Sequence, residues 1–361
     1  MVGIQNLRLT NVRSHTSADF LFAPTMNAIV GPNGSGKTTI IEALYTLLRG
    51  SSFKGTLSEI VQYSANQYSA EMAVKTEHSI HRRSLRYQQV DQTSQKRWKV
   101  DNKNYARLPF TARVPVVLFE PDLARLISGG PERRRNYIDL ICSQLNIETA
   151  SIQNRFDRAL KQRNKLLKQL RDNNAYNASD ELFIWNTQLA HLSEQIIIAR
   201  LQIIEKLQNQ ISDYYRQLGG DDDIFLTYKS TVSSCSDTYA SRLLQFLETS
   251  ALRDIALGYT SFGPHRDDVE IRLSDQLATQ RASRGEIRTV VIAMKLLETE
   301  LLTQHFKNSS IKPVLLLDDV LSELDLVHQE RVLAGFKTHQ VFITTTDAHA
   351  LTPGVHTIGL V

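Results

Sequence analysis

Gly31-Pro32-Asn33-Gly34-Ser35-Gly36-Lys37-Thr38 follows a short apolar run, Met26 to Val30. It precedes Ile40, Ile41, Leu44, Leu47 and Leu48, which recur at helical spacing. The octapeptide fits G-x-x-x-x-G-K-[ST] throughout, and its flanks supply the strand before and the helix after that a phosphate loop requires. Glycines let successive backbone N–H groups turn inward around an anion, and the helix start adds the positive end of its dipole. Gly31, Pro32, Asn33, Gly34, Ser35, Gly36, Lys37 and Thr38 are therefore expected to hold ATP. Lys37 is the point charge on the β- and γ-phosphates, and the Thr38 hydroxyl is a ligand for Mg2+. A glycine-rich turn without chemistry is the alternative these flanks disfavour.

The remaining parts of such a site stand at the other end of the chain. Val314-Leu315-Leu316-Leu317 reads as a buried strand and is followed by Asp318 and Asp319. Asp318 is expected at the metal beside Thr38, and Asp319 is placed to orient or deprotonate an attacking water. Two acids after an apolar strand also suit a helix N-cap, but the phosphate loop favours catalysis. Ser283-Arg284-Gly285-Glu286 opens a helical run and has the form of a capping box, whose exposed N–H groups also make an anion site. A cradle at residue 31 and its acids at residue 318 must meet in space. The central residues are thus inserted between two halves of one nucleotide-binding head.

The middle of the chain changes texture accordingly. Ser69 to Asp101 alternates apolar and polar residues in short pieces, as an antiparallel meander does. From about Asn146 to Leu218 there is no proline. Leu182, Trp185, Leu189, Leu192, Ile196, Ala199 and Ile203 step by three and four, as do Ile152, Phe156, Ala159, Leu166 and Leu170, with Arg163 at the remaining seam position. Two helices packed as an antiparallel coiled-coil hairpin fit this pattern, with a turn near Asp172 to Asn177. The expected division is residues 1–140 for the first part of the head, 141–250 for an inserted helical lobe, and 251–361 for the rest of the head. The fold class is α/β, a mixed and parallel sheet with an added antiparallel meander.

Composition narrows the function. The 361 residues carry a net charge of +4, unevenly spread. Lys75 to Arg113 holds ten Lys/Arg against three acids, and Arg155 to Arg171 seven against one. Two basic runs in an otherwise acidic chain suggest a polyanion partner. Arg82, Arg83, Arg86, Lys96, Arg97 and Lys99 are the candidate DNA contacts, with Lys161 and Lys165 behind them. No run of eighteen apolar residues is present and the start lacks a signal-peptide order, so neither a membrane span nor export is expected. Cys142 and Cys235 have no zinc-ligand spacing, which fits a reduced cytoplasmic setting.

Longer runs carry a resemblance. Leu9-Thr10-Asn11-Val12-Arg13, Phe119-Glu120-Pro121-Asp122-Leu123, Glu132 to Asp139, Arg158 to Asn164, Gly263-Pro264-His265-Arg266-Asp267-Asp268 and Leu316 to Asp325 occur in the order of the RecF family. The chain resembles that family of bacterial recombination-repair ATPases, which are related to SMC heads and the ABC class. The resemblance implies that Arg13 reaches the nucleotide phosphates. It implies that Ser283 and Gly285 close on the triphosphate of a second copy, giving an ATP-dependent homodimer. Ser322 to Asp325 would speak across that dimer, and Thr344-Thr345-Thr346 would occupy the γ-phosphate switch position. Glu120 stands about where a lid-to-core glutamine is usual, and Arg284 and Glu286 replace two glutamines of the usual signature.

Implied in function are slow ATP hydrolysis on double-stranded DNA at single-strand gaps, work with RecR and RecO, and RecA loading. These belong to DNA repair, recombination, replication-fork maintenance and SOS induction in the cytoplasm, at the nucleoid. The alternatives are a DNA clamp that binds ATP without hydrolysing it and the nucleotide-binding subunit of an ABC transporter.

Overall fold

The computed structural model describes residues 3–76, 79–90, 93–173, 180–232, 238–308, 312–324, 326–347 and 354–360. Along the chain lie β1 (Gly3–Val12), β2 (His15–Leu21), β3 (Met26–Val30), α1 (Lys37–Arg49), β4 (Gln67–Lys75), β5 (Ile80–Val90), β6 (Thr93–Val100), β7 (Lys103–Tyr105) and β8 (Val116–Phe119). There follow α2 (Arg125–Ser128), α3 (Pro131–Leu145), α4 (Ile147–Asp172), α5 (Asp180–Gln217), β9 (Ile224–Lys229), α6 (Tyr239–Thr249), α7 (Ala251–Leu257), β10 (Asp268–Leu273), β11 (Gln276–Leu277), α8 (Ala278–Arg281) and α9 (Arg284–His305). The chain closes with β12 (Val314–Leu317), α10 (Leu326–Ala334), β13 (Gln340–Thr345) and β14 (His356–Gly359).

Two compact units divide these elements: Met1–Leu123 with Glu298–Val361, and Ala124–Leu297. The second is wider at both ends than the 141–250 insertion that sequence texture suggested. It takes in α3, the β9–β11 sheet and the Ser283 turn.

The first unit contains two sheets. One is antiparallel, in the order β2-β1-β4-β5-β6-β7; the other is parallel, in the order β14-β3-β13-β12-β8. Every residue of β8, β12 and β13 is buried, because a parallel strand covered on both faces needs an unbroken apolar run. The antiparallel strands alternate instead. Leu7, Leu9, Met72, Leu85 and Trp98 turn inward and join α1 and the parallel sheet in one core. Ile40, Ile41, Leu44, Leu47 and Leu48 of α1 are fully buried there, each burial stabilising by about 1.5–3 kcal/mol. That core fixes the helix whose first turn follows the glycine-rich loop.

In the second unit, α4 and α5 pack as the expected hairpin, with Phe156, Ala159, Leu189, Leu192 and Ile196 between them. The turn residues 174–177 lie outside the described residues. Arg163, at the seam, is fully buried and not solvated. It is held by Asp254 (2.7 Å), Asn186 (2.7 Å) and Thr260 (2.8 Å). Gly219 closes α5 at φ 97°, where glycine carries no Cβ penalty. No helix among the described residues is long and apolar enough to cross a membrane.

Candidate nucleotide site

The C-terminal ends of β3, β8, β12 and β13 share one edge of the parallel sheet, where open α/β sheets bind ligands. From β3 the chain enters the loop Gly31–Thr38. Gly34 (φ 87°) and Gly36 (φ 93°) take left-handed conformations that open its backbone donors inward. A side chain at Gly36 would also run into Ser14 and His15. The loop is anchored on β13, since Gly31 N–H donates to Thr345 O (3.3 Å). Lys37 is buried and donates to Gly31 O (2.7 Å) and Pro32 O (2.9 Å), folding over its own loop.

Asp318 stands at the end of β12, 0% exposed. Its Oδ1 accepts from the hydroxyls of Thr38 (2.8 Å) and Thr344 (2.9 Å), while Oδ2 is buried without a partner. Burial pushes its pKa up; the Thr38 and Thr344 hydrogen bonds and the nearby charge of Lys54 pull it down. An orphaned carboxylate oxygen beside a phosphate-loop threonine suits a hard divalent cation with oxygen ligands, so Thr38 and Asp318 fit Mg2+. Asp319 follows at φ 52°, its N–H donating to the Thr344 hydroxyl (2.7 Å).

Arg13, at φ 45° between β1 and β2, is bidentate on Glu42 of α1 (2.7 and 3.0 Å), and the Ser52 hydroxyl donates to the same carboxylate (2.5 Å). The guanidinium expected at the phosphates is thus held by one edge on α1. Glu120 follows β8 directly, and its neighbour Phe119 accepts the Asp318 N–H through its carbonyl (2.9 Å). Glu42, Ser52, Lys54 and His15 belong to no motif of the sequence. Only Glu42, an acid amid the apolar spacing of α1, left a visible signal.

Ser283 and Gly285 lie in the second unit and are exposed. The capping box has formed: Ser283 N–H donates to Glu286 Oε2 (2.7 Å) and Glu286 N–H to Ser283 Oγ (3.2 Å). These hydrogen bonds hold the Glu286 carboxyl below its usual pKa. The Glu286 carboxylate is therefore turned back onto its own turn.

The six basic residues of the meander divide between two faces. Register pairs Arg86 with Arg97 and Ser84 with Lys99, so Arg82, Arg86, Arg97 and Lys99 share the outer face. Arg83 and Lys96 alternate to the other side with Leu85 and Tyr87. Arg83 is only 8% exposed; its Nε and Nη1 lack partners, and burial lowers its pKa to about 10. Its alternation with Leu85 and Tyr87 was the sequence signal of that inward direction. Lys161 and Lys165 are exposed on α4.

Phosphate loop after β3, paired acids after β12 with β13 between those two parallel strands, and flanking antiparallel sheet together define a nucleotide-binding head of the SMC kind. Residues 3–361 match the family model described as RecF/RecN/SMC N terminal domain. The DNA replication and repair protein RecF of Ruminiclostridium cellulolyticum is 33% identical over 351 residues, covering 95% of this chain and 92% of that protein. That of Streptococcus uberis is 33% identical over 349 residues, covering 95% and 93%. A solved structure of the recombination mediator protein RecF with ATP, in the RecFOR pathway, superposes with TM-score 0.86 at 27% identity, covering 97% of this chain and 94% of that one. An Smc head from Pyrococcus furiosus shares the fold, at TM-score 0.55 and 16% identity, over 99% and 93% of the two chains. The chain belongs to the RecF family.

Proposed function

We propose that this protein is an ATP-dependent DNA-binding recombination mediator in which ATP closes two copies of the chain and slow hydrolysis releases them. The observation that carries it is the meeting of Thr38, Asp318, Thr344 and Asp319 at the mouth of the phosphate loop, from opposite ends of the sequence. The RecF structure with ATP supports the choice of nucleotide.

Gly31 to Thr38 cradle the triphosphate with backbone N–H groups. Lys37 exchanges its two loop carbonyls for phosphate oxygens when nucleotide enters. Thr38 and Asp318 would hold Mg2+, which would supply positive charge to the phosphates. Asp319 accepts the proton of the attacking water, and Arg13, steadied by Glu42, presents its remaining donors to the phosphates. The exposed Ser283–Gly285 turn, at the N-terminus of α9, serves the triphosphate of the partner copy.

Double-stranded DNA with a single-strand gap is the polyanion that the Arg82, Arg86, Arg97 and Lys99 face suits, through phosphate contacts weakened by salt. The family resemblance supports RecR, RecO and RecA as partners and the cytoplasmic nucleoid as the place of work. ATP turnover is the test. Weak hydrolysis stimulated by duplex DNA is expected, and Asp319→Asn should bind ATP normally yet lose at least about a hundredfold in kcat. Unchanged turnover in that variant would place the base elsewhere.

A further inference from the structure

β13 runs parallel beside β12, with Leu317 opposite Ile343, so Thr344 comes level with Asp318 at the end of the ladder. Thr344 is 1% exposed. A hydroxyl has one proton and two lone pairs, and here the proton and one lone pair each have a fixed use. The proton goes to Asp318 Oδ1 (2.9 Å), and a lone pair accepts the Asp319 N–H (2.7 Å). A single side chain therefore holds both acids.

Each hold has a consequence. Asp318 Oδ1 is occupied by two hydroxyls, which leaves Oδ2 as the oxygen free for a cation's shell. Thr344 thus selects the carboxylate orientation that leaves Oδ2 unpartnered. Asp319 sits at φ 52°, a conformation uncommon outside glycine. The bond from its N–H to Thr344 helps retain that conformation, and with it the direction of the Asp319 side chain.

We infer that Thr344 is a positioning residue coupling the metal carboxylate Asp318 to the base Asp319; this rests on the roles proposed for those two acids. It differs from the γ-phosphate switch that family resemblance suggested for the threonine run. A hydroxyl spent on two acids is not free to meet a phosphate. Outer partners of metal ligands commonly set metal affinity by about ten- to a hundredfold.

Thr344→Val keeps the branched shape in a buried strand and removes only the hydroxyl; Thr344→Ser keeps the hydroxyl. The readout is Mg2+ titration of binding by a fluorescent ADP analogue, a nucleotide without a γ-phosphate. Thr344→Val should need about tenfold more Mg2+, with unchanged ADP affinity in the absence of metal, which also shows that the variant is folded. Thr344→Ser should behave as wild type, and Asp318→Asn should shift at least as far as Thr344→Val. In turnover, Thr344→Val should lose kcat with little change in KM. A normal Mg2+ requirement in Thr344→Val beside a shifted Asp318→Asn overturns the positioning role alone. No shift in either shows that Asp318 does not serve the metal, and the inference falls with that assignment. A defect confined to ATP and absent with ADP makes Thr344 a phosphate sensor and overturns the inference as well.

Discussion

Single atoms decide much of this protein's chemistry. His265 shows it outside the nucleotide site. Its Nε2 lies 3.1 Å from Thr260 O, so the ring carries its proton there, and Nδ1 is buried without a partner. Burial, aided by the charges of Arg266, Arg135 and Arg163, lowers its pKa from 6.5 to about 4. Between those values the unfolded chain takes up a proton that the folded chain refuses. Stability therefore falls as pH drops from 6.5 toward 4, by at most about 1.4 kcal/mol per pH unit from this group. Urea midpoints across that range should converge for wild type and His265→Gln as pH falls; parallel lines would contradict it. At this scale the sequence was legible where spacing is local. Gly31 to Thr38 and the Asp318–Asp319 pair declare themselves within a few residues. The Thr344 hydrogen bonds did not, because they depend on which strand lies beside β12, and no local pattern states that.

At the scale of elements, periodicity gave the hairpin and the meander, while charge counts misled. Seven Lys/Arg in Arg155 to Arg171 suggested a polyanion partner, yet Arg163, at the seam position its spacing indicated, is spent inside on Asp254. Arg83 is turned into the core by strand alternation, and on the outer face Arg8 and Arg86 lie against Asp19 and Glu71. Among the described residues, Arg82, Arg97 and Lys99 have no such acid against them. Arg97→Gln with Lys99→Gln should therefore reduce the salt slope of duplex-DNA binding by about 2, one for each phosphate left without its cation. Arg83→Met should leave that slope unchanged and be neutral or stabilising, because it removes a buried guanidinium with unsatisfied donors. Salt titrations of binding on the two variants check both, and a slope change in Arg83→Met would contradict the face assignment.

Over the whole molecule, the split of the nucleotide machinery between residues 31 and 318 required the chain to return on itself, and β3, β13 and β12 are indeed adjacent. Where the second unit begins and ends was not legible, because α3 and the 251–297 segment have ordinary α/β texture and join it by packing. The exposed Ser283 turn is complete as a cap, and a Cβ at Gly285 would meet only Ser283 Oγ, at 3.9 Å. We propose that ATP joins two copies through this turn. Sedimentation velocity with saturating ATP and Mg2+, on wild type and Ser283→Arg, tests it most directly. Wild type should sediment as a dimer, and Ser283→Arg as a monomer that still binds ATP. A wild-type protein that stays monomeric with nucleotide bound would contradict it.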